Sequence, residues 1–237
     1  MATFQGLIRR NIVNANVQFD KLGYITNNMA NQNTTAYKSV RFEQVLNEDG
    51  YLDGVVRTDA RPAKLMVTDD KFDFGINGKG YVPVTSENGD VKYTRDGKMK
   101  QNKDGYLITT DGYLIGDGIK LPINYYDFWI KGNGDVMVAD DYGDKPYKIG
   151  TIPVVNFQNP EALKAVDGNK YLPTYESGEP VLVVNQDMIE HQKLEVSNSD
   201  IRSDVNKVMR LNASMLASFQ VMKAINDMYD KSIKLQG

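Results

Sequence analysis

IRSDVNKVMRLNASMLASFQVMKAINDMYDKSI, residues 201–233, places apolar or amide side chains in alternating steps of four and three: Ile201, Val205, Val208, Asn212, Met215, Phe219, Met222, Asn226, Tyr229 and Ile233. A step averaging 3.5 residues holds one stripe on one side of a helix, which is the mark of a coiled-coil seam rather than of an ordinary globular helix. Read as one helix, the stretch would run on the order of 50 Å at 1.5 Å per residue. Ser199 and Asp200 stand just before it, and either can cap its first turn. Met209, Leu216, Ile225 and Met228 widen the apolar surface beyond a two-stranded seam, so the helix asks for several neighbours. Asn212 and Asn226 take equivalent heptad positions. Such an amide is either a tolerated imperfection or a register device that sacrifices stability to set one alignment, and both readings stand open.

The other end of the chain has a matching period. Phe4, Ile8, Ile12, Ala15, Phe19, Leu22 and Met29 fall at helical steps, which predicts a helix to about Ala30. Gly23 inside it weakens an isolated helix by about 1 kcal/mol relative to Ala. The helix runs into NNMANQNTTAYK, residues 27–38. Asparagine competes with the backbone for hydrogen bonds and ends helices. Asn27, Asn28, Asn31 and Asn33, followed by Thr34 and Thr35, therefore close the helix and begin a link. Each amide can donate and accept at once, so the cluster suits a crowded contact between subunits. The plainer reading is a cap and turn within one chain.

Between the ends the pattern turns to β structure. Phe72, Phe74 and Ile76 alternate, and Asn77-Gly78 then turns the chain. Asn88-Gly89, Asp96-Gly97, Asp104-Gly105, Asp111-Gly112, Asp117-Gly118 and Gly132-Asn133-Gly134 supply the positive φ angles of tight hairpins. Short β-branched and aromatic runs lie between them, at Val91–Thr94, Tyr106–Thr110, Tyr113–Ile115, Phe128–Ile130, Val136–Val138 and Ile149–Phe157. The spacing predicts an antiparallel, meander-like β domain. No segment has the twelve-residue ligand spacing of a calcium loop.

Composition narrows the function. The 237 residues carry a net charge of -3, which argues against nucleic acid. No run nears the roughly 20 apolar residues of a membrane span, and the N-terminus lacks the apolar core of a secretory signal. With no cysteine, disulfides and thiolate chemistry are out. The single histidine, His191, has no second ligand or orienting partner nearby in sequence. Asp69-Asp70 and Asp140-Asp141 are carboxylate pairs of the kind a glycosidase uses, on a domain that could hold a sugar, but no nucleophile, base and orienter set accompanies them.

The blocks of the sequence resemble the bacterial flagellar rod and hook axial proteins. NNMANQNTTAYKSVRFEQVL is similar to the N-terminal motif of that family, with Met29, Ala36 and Tyr37 where Leu, Gly and Phe are usual. FDFGINGKGYVPV, YTRDGKMKQNKDGYLITTDGYLIGDG, IGTIPVVNFQNPEALKAVDGNKY and LEVSNSDIRSDVNKVMRLN resemble further blocks, in the family's order, over nearly the whole chain. The resemblance implies an α+β fold in which N- and C-terminal helices pack as a coiled-coil core with an antiparallel β-rich domain inserted between them. It divides the chain into an N-terminal helix at 1–35, an extended linker at 36–68, a β-rich outer domain at 69–192 and a C-terminal coiled-coil helix at 193–237.

The same resemblance implies a structural subunit of the basal-body rod, neither enzyme nor cofactor binder. Such a subunit assembles helically, transmits torque and lines an export channel. Its partners are further copies and other rod and hook proteins, with the flagellar type III export apparatus carrying it to the periplasm without a cleavable signal; no nucleic acid or small-molecule substrate is implied. Lack of cysteine suits an oxidising compartment. The low helix propensity of the N-terminal piece implies folding coupled to assembly. The short interval Asn47–Asp70 favours a proximal rod protein, while the near-intact Asn-Thr-Thr motif favours the distal one; a hook protein ranks below both, as does a rival reading as a tail or secretion-tube protein or an adhesin, which would lack this order of motifs. Val205, Val208, Met215, Phe219 and Met222, with Ile8, Ile12, Phe19 and Leu22 opposite, are the expected packing residues, and Asn212 and Asn226 join them at the interface.

Overall fold

The computed structural model describes residues 4–48, 51–184 and 187–236. The chain forms two compact units, one from Met1–Asn31, Val40–Arg57 and Ser199–Gly237, the other from Gln32–Ser39 and Thr58–Asn198. The α+β class is as expected.

The first unit is helical. It contains α1 (Phe4–Ala30), the hairpin strands β1 (Val40–Leu46) and β2 (Leu52–Thr58), and α2 (Ile201–Gln236). Of the two candidate caps, Asp200 closes the start of α2: its carboxylate accepts from the Arg202 N–H at 3.1 Å. Ser199 instead donates to Asp204 at 3.1 Å. Buried Asp204 lies in the first turn, where the helix dipole favours an anion. The helices meet where Ile25 of α1 packs on Leu211 and Met215 of α2, with Leu22, Met29 and Val208 around them. Within the interval expected as an extended linker, the structure has the β1–β2 hairpin and a third short strand. Phe42 of β1 stacks on Tyr24 of α1, ring centroids 5.5 Å apart. Gly54 lies beneath that ring, and a Cβ there would sit 2.3 Å from it, so the glycine lets the hairpin carry Phe42.

The second unit holds β3 (Leu65–Val67), β4 (Phe74–Ile76), β5 (Val82–Thr85), β6 (Val91–Thr94), β7 (Met99–Gln101), β8 (Leu107–Thr109) and β9 (Leu114–Ile115). It continues through β10 (Asp127–Ile130), β11 (Asp135–Ala139), β12 (Tyr147–Thr151), β13 (Val155–Asn156), β14 (Lys164–Val166) and β15 (Lys170–Leu172), then β16 (Val181–Leu182), β17 (Ile189–His191) and β18 (Lys193–Glu195). Asn88-Gly89, Asp104-Gly105, Asp111-Gly112 and Gly132-Asn133-Gly134 turn the hairpins β5–β6, β7–β8, β8–β9 and β10–β11, whereas Asn77-Gly78, Asp96-Gly97 and Asp117-Gly118 join strands that do not pair with each other. β7-β8-β9 and β10-β11-β12 are simple meanders, but the rest of the unit is not. The largest sheet has the order β14-β15-β6-β5-β9-β8-β7, so β15 returns from far along the chain to pair with β6. β17 likewise returns to β4 and β18 to β3.

Two cores result. Phe74, Ile76, Val84, Leu107, Phe128 and Val136 belong to the larger one, with Phe72 packed against it, as the alternation of 72, 74 and 76 predicts. The smaller one is aromatic. Tyr81, Tyr93 and Tyr171 gather about Phe157, which meets Tyr93 edge to face at 5.0 Å.

Candidate assembly surface and buried ion cluster

The asparagine segment resolves into specific bonds. In the helical unit, Asn28 is 2 % exposed. Its amide donates to the Val40 carbonyl and accepts from the Val40 N–H, both at 2.8 Å. One side chain thus replaces a neighbouring strand for the first residue of β1, and Ser199 donates to the Asn28 carbonyl at 2.9 Å. Asn31 donates to the Asn27 carbonyl at 2.9 Å, closing the last turn of α1. In the β unit, Thr35 donates to Asp96 at 3.0 Å while its carbonyl accepts from Asn169 at 2.9 Å. The Thr34 carbonyl accepts from the Tyr37 N–H, and the Asn33 side chain is exposed. The turn ends on Ala36 at φ 55, a left-handed position where an L side chain is strained, and the Ala36 N–H donates to the Glu195 carbonyl.

Two residues later comes a group that the sequence pattern does not announce. Lys38 is fully buried, and its ammonium donates to Glu195 Oε1 at 2.6 Å and to the Arg61 carbonyl at 2.9 Å. The other oxygen of Glu195 accepts from Arg95 Nε at 2.7 Å, and Oε1 also accepts from the Ala63 N–H at 2.6 Å. Arg95 spends its remaining donors on the carbonyls of Gly80, Gly78 and Ile76. Two cations and one anion therefore share a dry site, each held by further polar atoms, as buried charge requires. Burial pushes the Lys38 ammonium below its ordinary range more strongly than Glu195 holds it up, and Arg95 pushes the same way as burial. Around the cluster, Thr94 donates to the Asn169 carbonyl and Asn198 bridges Ser39 and Asp59. At Gly97 a Cβ would lie 1.7 Å from the Phe74 carbonyl oxygen, so only glycine lets that backbone approach. The blocks around Lys38, Gly78, Arg95 and Glu195, far apart in sequence, meet at one point. A lysine and a glutamate embedded in apolar or threonine-rich runs were the available signal.

The expected packing residues of the helices divide. Leu22, Val208 and Met215 come together in the α1–α2 core. Ile8, Val205 and Met222 are half-buried, while Asn212 and Asn226 are exposed. Ile12, Phe19 and Phe219 are each about half exposed, at 51%, 52% and 47%. Ile25 and Leu211 complete the core and were absent from the sequence-based set. The burial along α2 follows 204, 208, 211, 215, 218, 222 and 225, a heptad stripe that shares three positions with the one read from the sequence. Met209, Leu216, Val221 and Met228 on α2 and Val45, Leu46 and Val56 on the hairpin are exposed. Phe19, Tyr24, Phe42 and Val56 line an open groove on the same unit. Apolar exposure on this scale marks an interaction surface. On the buried face of α1, the side-chain oxygens of Asn14 and Gln18 have no hydrogen-bond partner, a cost of about 1–3 kcal/mol each. Among the described residues no group of three or more His, Cys, Asp or Glu is placed to hold a metal, and no helix is long and apolar enough to cross a membrane.

Residues 75–138, from β4 to β11, match a family model described as the flagellar hook protein FlgE/F/G D1 domain. A flagellar basal-body rod protein FlgG of Buchnera aphidicola subsp. Schizaphis graminum is 30% identical over 184 residues, covering 68% of this chain and 71% of that protein. The chain belongs to the flagellar basal-body rod protein family. Similarity also extends to a flagellar basal-body rod protein FlgG of Caulobacter vibrioides, 29% identical over 241 residues with 90% of this chain and 92% of that protein covered. A flagellar basal-body rod protein FlgF of the same Buchnera subspecies is 28% identical over 166 residues, with 65% and 66% covered. In this rod-family chain the D1-like segment supplies Arg95 and the three carbonyls that hold it. Lys38 and Glu195 come from outside that segment and clamp it.

Proposed function

We propose that this chain is a structural subunit of the flagellar basal-body rod, with a mechanical and not a catalytic role. The observation that carries the reading is the apolar surface of the helical unit, with Phe19 on α1 and Leu216 and Phe219 on α2 among its exposed side chains. Copies associate through these stripes into a coiled-coil core, which places Ile12, Phe19, Val205, Phe219 and Met222 in contacts between copies and lets Asn212 and Asn226 set the register. The unsatisfied amides of Asn14 and Gln18 support helices that reach their final order on assembly. Stacked helices repeated around a tube transmit torque and enclose an export channel. The subunit reaches the periplasm through the flagellar export apparatus without a cleavable signal. The short interval Asn47–Asp70 favours a proximal place in the rod, next to other rod and hook proteins. The rod proteins named FlgG among its relatives favour the distal place instead.

The test uses the absence of cysteine. Phe19→Cys and Phe219→Cys in one chain, expressed in a motile strain lacking its own copy, should give oxidised ladders of linked subunits in isolated basal bodies. Monomer alone under oxidation, with the chain present in the basal body, would overturn the packing. Absence of the chain from basal bodies and retained motility of the deletion strain would overturn the function itself. Cross-links to hook-proximal or motor-proximal neighbours separate the distal and proximal places.

A further inference from the structure

One exposed feature of the β unit lies outside the residues assigned to the assembly surface. At one end of the β10-β11-β12 sheet, Tyr126 and Tyr142 are 59% and 85% exposed, with ring centroids 5.7 Å apart and planes at 74°. Tyr126 is fixed by its N–H, which donates to the Ala139 carbonyl at 2.8 Å, and Tyr142 sits in the turn that Gly143 completes at φ 93. Beside them Tyr147 donates to the Asp140 carboxylate at 3.0 Å, which orients that carboxylate. The neighbours in sequence, Asp127, Asp141, Asp144 and Lys145, are all exposed. Two exposed rings therefore make an open corner amid hydrogen-bonding groups.

We propose that this corner binds a neutral glycan chain, with pyranose rings seated on Tyr126 and Tyr142. A pyranose presents one face of C–H groups, which suits the negative face of a tyrosine ring, and an equator of hydroxyl or acetamide donors. Carboxylates accept from those donors and cannot donate, so Asp140 and Asp141 suit a sugar edge. The inclined rings suit successive residues of a chain that rotates from one unit to the next. The excess of carboxylates repels a polyanionic glycan. The Asp140-Asp141 pair, read in the sequence as carboxylates of the kind a glycosidase uses, thus serves recognition and not hydrolysis.

The test is isothermal titration of the full chain, at a concentration where it stays monodisperse, with a hexamer of β-1,4-linked N-acetylglucosamine. Saturable binding is expected. Tyr142→Ala should weaken it about fivefold to tenfold, as loss of one aromatic stack implies. Tyr142→Phe, which keeps the ring, should bind as the native chain does. Heparin should bind more weakly than the neutral hexamer. Tyr142 is exposed, so its truncation leaves the fold intact, and unchanged Trp129 fluorescence checks this. No binding of the hexamer, equal binding by Tyr142→Ala, or tighter binding of heparin overturns the proposal. So does loss of association between copies in Tyr126→Ala/Tyr142→Ala with hexamer binding intact, which would make the corner a contact between subunits. Each of these failures leaves the cross-linking test of the rod function untouched.

Discussion

Replacing Glu195 by Gln should destabilise the β unit far more than replacing Lys38 by Met. Glu195 is the one anion between two buried cations, and it accepts from Lys38, Arg95 and the Ala63 N–H at 2.6–2.7 Å. With Gln in its place, Lys38 and Arg95 face each other without the anion they share, and only the weaker influence of Asp59 on Lys38 remains. Breaking a buried pair in this way costs about 3–5 kcal/mol. Lys38→Met leaves Arg95 and Glu195 as a balanced pair and fills the site with apolar volume, so its cost should stay below about 1.5 kcal/mol. In the double variant a single unpaired cation remains, and about 1–2 kcal/mol of the Glu195→Gln loss should return. Trp129, the only tryptophan, lies in β10 and reports this unit by fluorescence. With a urea slope of about 2 kcal/mol per molar, the midpoint of Glu195→Gln should fall by about 2 M. The pH dependence gives a second check. Lys38 has a folded pKa below its ordinary 10.5, so the unfolded chain binds more protons through that window and the Lys38 contribution to stability rises with pH. Without Glu195 the lysine deprotonates more readily, so the deficit of Glu195→Gln should be smaller at pH 9 than at pH 7. Equal costs for the two single variants, or a deficit that does not change with pH, would refute the account of the cluster.

Gly97→Ala should cost about 3 kcal/mol or more, because its Cβ meets a backbone carbonyl that cannot move aside, and Trp129 unfolding should detect it; a native midpoint would count against the close approach. Gly23→Ala places a methyl in open space on α1 and should stabilise the helical unit by about 1 kcal/mol, read as a later loss of ellipticity at 222 nm on heating. Asn28→Ala removes both bonds to Val40 and should cost the helical unit about 1–3 kcal/mol with the Trp129 transition unmoved; coincident shifts of both signals would argue against a local role. Burial pushes the Tyr81 hydroxyl up to about 12 from 10.0, with the Arg95 charge opposing. The unfolded chain therefore gives up that proton first, and the stability present below pH 10 is lost at about 1.4 kcal/mol per pH unit as the pH rises to 12. Tyr81→Phe should make the alkaline loss shallower by that slope between pH 10 and 11.5, and an unchanged slope would be evidence against the burial effect.

Much of the fold was legible because it depends on neighbours in sequence. The periods of 4–30 and 201–233 specify helices, and Asn88-Gly89, Asp104-Gly105, Asp111-Gly112 and Gly132-Asn133-Gly134 specify hairpins, while Asn77-Gly78, Asp96-Gly97 and Asp117-Gly118 turn the chain towards partners that lie elsewhere in sequence. The asparagine segment was legible as a helix end, but the structure shows Asn28 bonded to Val40 within the chain. Its share in contacts between subunits is a proposal, tested by replacing Asn28 and Asn31 by Ala: incorporation into rods should suffer more than the fold of the β unit, and equal loss of both, or of neither, would refute it. The stripe of α2 was legible as to period and only partly as to face. A helix apolar on more than one side can bury any of several stripes, and α1 selects the one through Leu211 and Met215.

By itself, then, the sequence determined the local elements of this rod-family protein: where the chain coils, where it turns, and that its two ends share a helical period. Tertiary structure alone decided which distant pieces meet. β15 pairs with β6, β17 with β4 and β18 with β3 across long stretches of chain. The physical reason is that local preference acts through the backbone of a few residues, whereas Lys38, Arg95 and Glu195 are each unfavourable to bury alone. Their burial becomes acceptable only when all three arrive together, and no property of any one of them records the other two.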